Sequence, residues 1–157
     1  MVRIRFSVRG DCMRVAMLTV AALFVGAVAQ AHVRITPGES KVGATETYTA
    51  RVPTEGKVAT TSVQLDVPDG VTVVSAVAPS GATCDLKRDN GRIVAITWTV
   101  DIKPGEVAQL SFVARNPNAG EQIVWKAHQR YADGTSSDWI GAAGARQPAP
   151  TTKLTAQ

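Results

Sequence analysis

The stretch Thr45-Glu46-Thr47-Tyr48-Thr49-Ala50-Arg51-Val52 decides the fold. Tyr48, Ala50 and Val52 fall on one side of an extended chain, and the polar residues between them fall on the other. Successive side chains of a strand point to opposite faces, so this period of two predicts a half-buried β-strand. The pattern recurs in Val63, Leu65 and Val67. Working outward, strands are expected near 33–36, 45–52, 59–67, 71–78, 82–87, 92–100, 106–115, 121–131 and 135–140. Turn chemistry separates them: Pro68-Asp69-Gly70, Asp89-Asn90-Gly91, Lys103-Pro104-Gly105, Asn116-Pro117-Asn118 and Ala132-Asp133-Gly134. No helical period follows residue 32. Short strands at this spacing predict an all-β protein, an antiparallel β-sandwich of immunoglobulin or fibronectin type over residues 32–145. The polar residues 146–157, Pro-containing and ending in Lys153-Leu154-Thr155-Ala156-Gln157, read as a disordered tail.

The first 31 residues have a different character. Arg3, Arg5, Arg9 and Arg14 precede an apolar run over 15–29, and Ala29-Gln30-Ala31 has the small-x-small form that signal peptidase accepts. Residues 1–31 therefore read as a secretory signal peptide, cut between Ala31 and His32. The apolar run is shorter than the roughly 20 residues of a membrane span. With no second such run, the exported chain of 126 residues is expected to be periplasmic or extracellular and to lack a membrane anchor. Cys12 precedes the apolar run, so it does not form a lipobox.

Processing changes the charge and sulfur content. The whole chain carries a formal +4, but four of its 17 basic and one of its 13 acidic residues lie in the leader. The remaining 13 and 12 are scattered, which argues against nucleic-acid binding. All three methionines and Cys12 leave with the leader. Cys84 alone remains, so no intrachain disulfide can form, and it reads as a small buried residue. A sulfur-rich Cu(I) site is excluded within one chain, whereas a nitrogen and oxygen site for Cu(II) stays open.

Cleavage after Ala31 would leave His32 at the start of the chain. Its α-amine and ring Nδ1 could then close a six-membered chelate around a metal ion. The third mature residue is Arg34, so the amino-terminal motif with histidine at position three is absent. One chelating residue leaves coordination positions open, and a carboxylate is the natural third ligand. Glu39, Glu46 and Glu55 are near in sequence. Glu39 and Glu46 read as solvated charges. Glu55 follows Val52-Pro53-Thr54 and is expected in a loop at one pole of the sandwich, where residue chemistry alone favours a surface role. Trp98 and Trp125 read as core residues. Trp139 reads as a loop-edge residue that could form a platform or a lid, or fill the sandwich end. His128, the other histidine, reads as a surface or internally satisfied strand residue.

The segment from His32-Val33 through Pro37, Glu39-Ser40, Gly43-Ala44 and Tyr48-Thr49-Ala50-Arg51-Val52-Pro53-Thr54-Glu55 resembles the YcnI-like family of secreted copper-binding domains. Pro68-Asp69-Gly70-Val71, Thr97-Trp98, Pro104-Gly105, Trp125-Lys126-Ala127, Gln129, Tyr131, Asp133-Gly134 and Trp139-Ile140-Gly141 extend the resemblance over nearly all of the mature chain. It implies one Cu(II) per chain, held in a single-histidine brace by the α-amine and ring of His32 and by the Glu55 carboxylate. Trp139 is implied as the aromatic beside the metal. His128 lies outside the matched pattern. Many members with this resemblance have a C-terminal membrane anchor, which is not expected here.

The expected function is that of a non-enzymatic exported protein in copper homeostasis. It would sequester Cu(II) or pass it, as a metallochaperone, to a membrane copper transporter or another copper-resistance protein. Two other readings remain. A histidine-brace oxidative enzyme would need His128 as its second histidine. A metal-free extracellular interaction module is compatible with a sandwich fold.

Overall fold

The computed structural model describes residues 32–156; the expected leader, with Cys12 and Ala31, and Gln157 lie outside the described residues. Twelve strands follow one another: β1 (Arg34–Thr36), β2 (Glu39–Lys41), β3 (Thr45–Pro53), β4 (Thr60–Asp66), β5 (Thr72–Val77), β6 (Thr83–Asp89), β7 (Arg92–Ile102), β8 (Val107–Arg115), β9 (Gln122–Val124), β10 (Lys126–Tyr131), β11 (Ser136–Trp139) and β12 (Thr151–Thr155). They form a sheet ordered β1-β3-β8-β5, a sheet ordered β11-β10-β4-β7-β6, and a small third sheet ordered β2-β12-β9. The all-β sandwich expected from the alternation is present.

The alternating residues build the core as predicted. Tyr48, Ala50 and Val52 of β3 are buried, as are Val63 and Leu65 of β4. Trp98, Phe112, Tyr48 and Trp125 meet at ring-centroid distances of 5.2 to 6.3 Å between neighbours. Burial drives this packing, and the edge-on and stacked contacts add to it. Tyr48 also donates its hydroxyl to Asn116 Oδ1 at 2.7 Å, so its one polar atom is satisfied inside the core.

Three expectations about the strands need correction. The single strand expected over 121–131 is two, β9 and β10, which join different sheets. Glu39–Lys41 is a strand that the alternation rule did not mark, because it is only three residues long. The tail is not disordered. Residues 151–155 form β12, parallel to β2 and antiparallel to β9, with Thr152 and Leu154 buried. Thr152 accepts the indole N–H of Trp125 at 3.1 Å and donates to the Pro37 carbonyl. The period-two pattern in Thr151-Thr152-Lys153-Leu154-Thr155 was a strand signal, masked by the polarity of its outward residues and by the prolines before it.

The segment between β11 and β12 folds back on itself. Gly141 N–H donates to the Gln147 carbonyl, and Ala149 N–H donates to the Gly141 carbonyl. A Cβ on Gly141 would lie 2.8 Å from Ala145 Cβ and 2.9 Å from the Gln147 oxygen. Only glycine permits that approach, which returns Arg146 and Gln147 to the end of β11.

Candidate metal centre

Antiparallel register brings the start of the described chain to the end of β3. Arg34 pairs with Arg51, Ile35 with Ala50 and Thr36 with Thr49, so continuing the register backward sets His32 opposite Pro53. Glu55 follows two residues later, in an exposed loop. The backbone there is tied down: Thr54 N–H donates to the Glu106 carbonyl and the Thr54 carbonyl accepts Gly105 N–H, each at 2.9 Å. Gly56 has φ of 95°, a left-handed conformation that glycine adopts without strain.

His32, Glu55 and Trp139 line one cavity of about 400 Å³, together with Pro53, Gly56, Tyr131, Ser137, Arg146 and Gln147. The His32 and Trp139 rings are 5.7 Å apart, edge to face at 62°. Trp139 is the last residue of β11 and only 6% exposed, so it both fills the sandwich end and walls the cavity. Sequence reasoning missed Tyr131, Ser137, Arg146 and Gln147. Tyr131, Ser137 and Trp139 share one face of β10 and β11 by strand alternation, and Tyr131 donates its hydroxyl to Ser137 Oγ at 3.0 Å. Arg146 and Gln147 belong to the segment expected to be disordered.

The other carboxylates point elsewhere. Glu46 is the second residue of β3, roughly 20 Å from Pro53 at the usual strand rise. It is half-buried rather than freely solvated and accepts Ser40 Oγ at 2.7 Å. Glu39 is exposed and pairs with Lys153 at 3.2 Å. His128 lies on the opposite face of β10 from Gln129 and Tyr131. Its Nδ1 meets Asp138 at 2.7 Å and its Nε2 meets Asp66 at 3.2 Å. Burial pushes its pKa down, but hydrogen bonds and charge from these two aspartates outweigh burial and raise it overall. Neither ring nitrogen is turned toward the cavity, so His128 cannot complete a brace with His32. Cys84 is half-buried on β6, not fully inside; burial, then the Asp85 charge, raises its thiol pKa and disfavours the thiolate that metals bind.

The donor set fits a nitrogen and oxygen site. Among the described residues no group of three His, Cys, Asp or Glu side chains can hold a metal. The cavity offers one imidazole and one carboxylate. A third protein donor at the same place would be the α-amine of His32, if the bond to Ala31 is cut.

The family described as a domain of unknown function, DUF1775, matches residues 32–154. The copper-binding protein CutI of Bacillus subtilis (strain 168) is 36% identical over 136 residues, spanning 85% of this chain and 67% of its own. A protein from Nocardia farcinica, whose crystal structure reveals an immunoglobulin-like fold, superposes with a TM-score of 0.67 at 30% identity, covering 78% of this chain and 97% of that one.

Proposed function

The chain belongs to the DUF1775 family of YcnI-like copper-binding domains, and from that membership we propose that it is an exported protein that binds one Cu(II) and sequesters or delivers it. The ligands are the α-amine and imidazole of His32 and the carboxylate of Glu55, with Trp139 beside them. The observation that carries this reading is the register of β1 on β3, which brings His32 to the cavity wall shared with Glu55 and Trp139. Imidazole, amine and carboxylate together suit Cu(II) better than Cu(I). The leader accounts for export to the periplasm or outside, and cleavage frees the amine. Transfer to a membrane copper transporter or a copper-resistance protein is the role that a site open to solvent would serve.

The test begins with protein secreted from a bacterial host. Mass spectrometry is expected to find His32 at the N-terminus, and titration is expected to find one Cu(II) per chain. The same protein with Met placed before His32 has an amide where the amine was, and an amide nitrogen donates poorly unless deprotonated. It should bind far more weakly and give a different EPR spectrum. A start other than His32, or equal affinity in both forms, defeats the brace.

A further inference from the structure

Gln129 is fully buried in β10, on the inward face where Ala127 precedes it. An inward strand position in a sandwich ordinarily holds an apolar side chain. Here the amide is satisfied by partners from three elements. Its Oε1 accepts the indole N–H of Trp139, at the end of β11, at 3.2 Å. Its Nε2 donates to the carbonyl of Pro53, at the end of β3, at 2.9 Å and to Thr60 Oγ1, at the start of β4, at 2.6 Å. The Thr60 hydroxyl in turn bonds the Thr54 hydroxyl at 2.7 Å. One side chain thus ties the cavity tryptophan to both ends of the loop that carries Glu55.

We propose that Gln129 is a positioning residue for the metal site, acting through Trp139 and through the Pro53–Thr54 backbone. This inference rests on the reading of His32 and Glu55 as ligands. Glu55 sits in the loop between β3 and β4, so the backbone that enters this loop sets where its side chain starts. That backbone is pinned from outside by the 105–106 turn and from inside by the Gln129 amide. The indole plane is set by its N–H bond to Gln129, and that plane meets the His32 ring. An apolar residue of the same size would leave the Trp139 N–H and the Pro53 carbonyl without this partner in the interior. Outer hydrogen bonds that orient metal ligands typically change affinity by about 10- to 100-fold when removed.

The experiment compares secreted protein beginning at His32 with its Gln129→Met, Thr60→Val, Thr60→Ser and Glu55→Gln variants. Circular dichroism checks the fold, competition with a chromophoric chelator measures Cu(II) affinity, and EPR reports the ligand geometry. Gln129→Met keeps the volume and is expected to lower affinity by about 10- to 100-fold with an altered spectrum. Thr60→Val removes the bonds of Thr60 to Gln129 and to Thr54 but leaves those of Gln129 to Trp139 and Pro53, and should lower affinity less, in the same direction. Thr60→Ser keeps the hydroxyl and should match the wild type. A merely structural Gln129 would lower the Tm of metal-free protein and leave the affinity and spectrum of folded protein unchanged; that result overturns the proposal. If Gln129→Met does not fold, wild-type affinity and spectrum in Thr60→Val overturn it instead. Wild-type protein that binds no copper, or an unaffected Glu55→Gln, brings down the ligand reading and this inference with it. Weakened binding in Glu55→Gln beside unaffected Gln129 and Thr60 variants removes the positioning role alone.

Discussion

The imidazole of His32 meets the indole of Trp139 edge to face, with ring centroids 5.7 Å apart and planes at 62°. The two residues are distant in sequence, and strand pairing in different sheets brings them to one cavity. Trp98 and Trp125 are fully buried in the core. A paramagnetic ion on His32 should therefore quench Trp139 first. Trp139→Phe is expected to retain copper and lose most of the copper-induced quenching, read by fluorescence titration. Quenching of wild-type size in that variant would assign the signal to a different tryptophan.

Glu55→Gln should weaken Cu(II) binding with the fold intact, because a neutral amide is a poorer ligand than a carboxylate and the residue is exposed. Glu39→Gln and Glu46→Gln should bind as wild type, since one pairs with Lys153 and the other sits at the far end of β3. Calorimetry of the three variants decides among the carboxylates. Loss of binding in Glu46→Gln alone would contradict the placement of the site.

Copper affinity should fall as pH drops from about 8 to about 5, because amine and imidazole must shed their protons before binding a metal. Titrations in buffers of different ionisation enthalpy count the protons released, up to two per ion at the acidic end. An affinity independent of pH would mean that neither nitrogen is a ligand.

His128 predicts a separate pH effect, on stability. Its folded pKa lies above the usual 6.5. The charged imidazolium binds Asp138 and Asp66 across three strands, so the folded state holds the proton more tightly than the unfolded chain does. The stabilisation is complete below the unfolded value and is lost as pH rises through the raised folded value. In metal-free protein, the Tm difference between wild type and His128→Asn should be largest on the acidic side and shrink above neutrality. A difference that grows with pH would reverse the assigned sign.

Leu154→Ala tests the C-terminal strand. Leu154 is 7% exposed and packs in the main core. Truncating a buried leucine typically costs about 2–5 kcal/mol, which urea unfolding resolves. A change under about 0.5 kcal/mol, the range of an ordinary surface substitution, would mean that β12 is not docked.

Much of the fold was legible because a strand with one face in the core must alternate. Tyr48, Ala50 and Val52 showed this, and so did Val63 and Leu65; their partners' identity hardly mattered. Where the signal was short or polar it failed. Glu39–Lys41 is three residues long, and β12 buries a threonine and a leucine between exposed polar neighbours. The candidate site was partly legible. His32 drew attention through its chemistry once the leader was read. Glu55 and Trp139 entered through the family resemblance, because a loop carboxylate and an end-of-strand tryptophan look ordinary along the chain.

The local order of apolar and polar residues determined by itself that this is a β-protein with these turns, since side-chain alternation and turn chemistry act between near neighbours. The company that Gln129 and His128 keep was decided only by the tertiary structure. These residues are adjacent in β10, and alternation sends one inward to Trp139, Pro53 and Thr60 and the other outward to Asp66 and Asp138. Period two says that they face opposite ways. Which face is covered, and by what, depends on antiparallel registers between strands dozens of residues apart, and those registers are set by how the whole core closes.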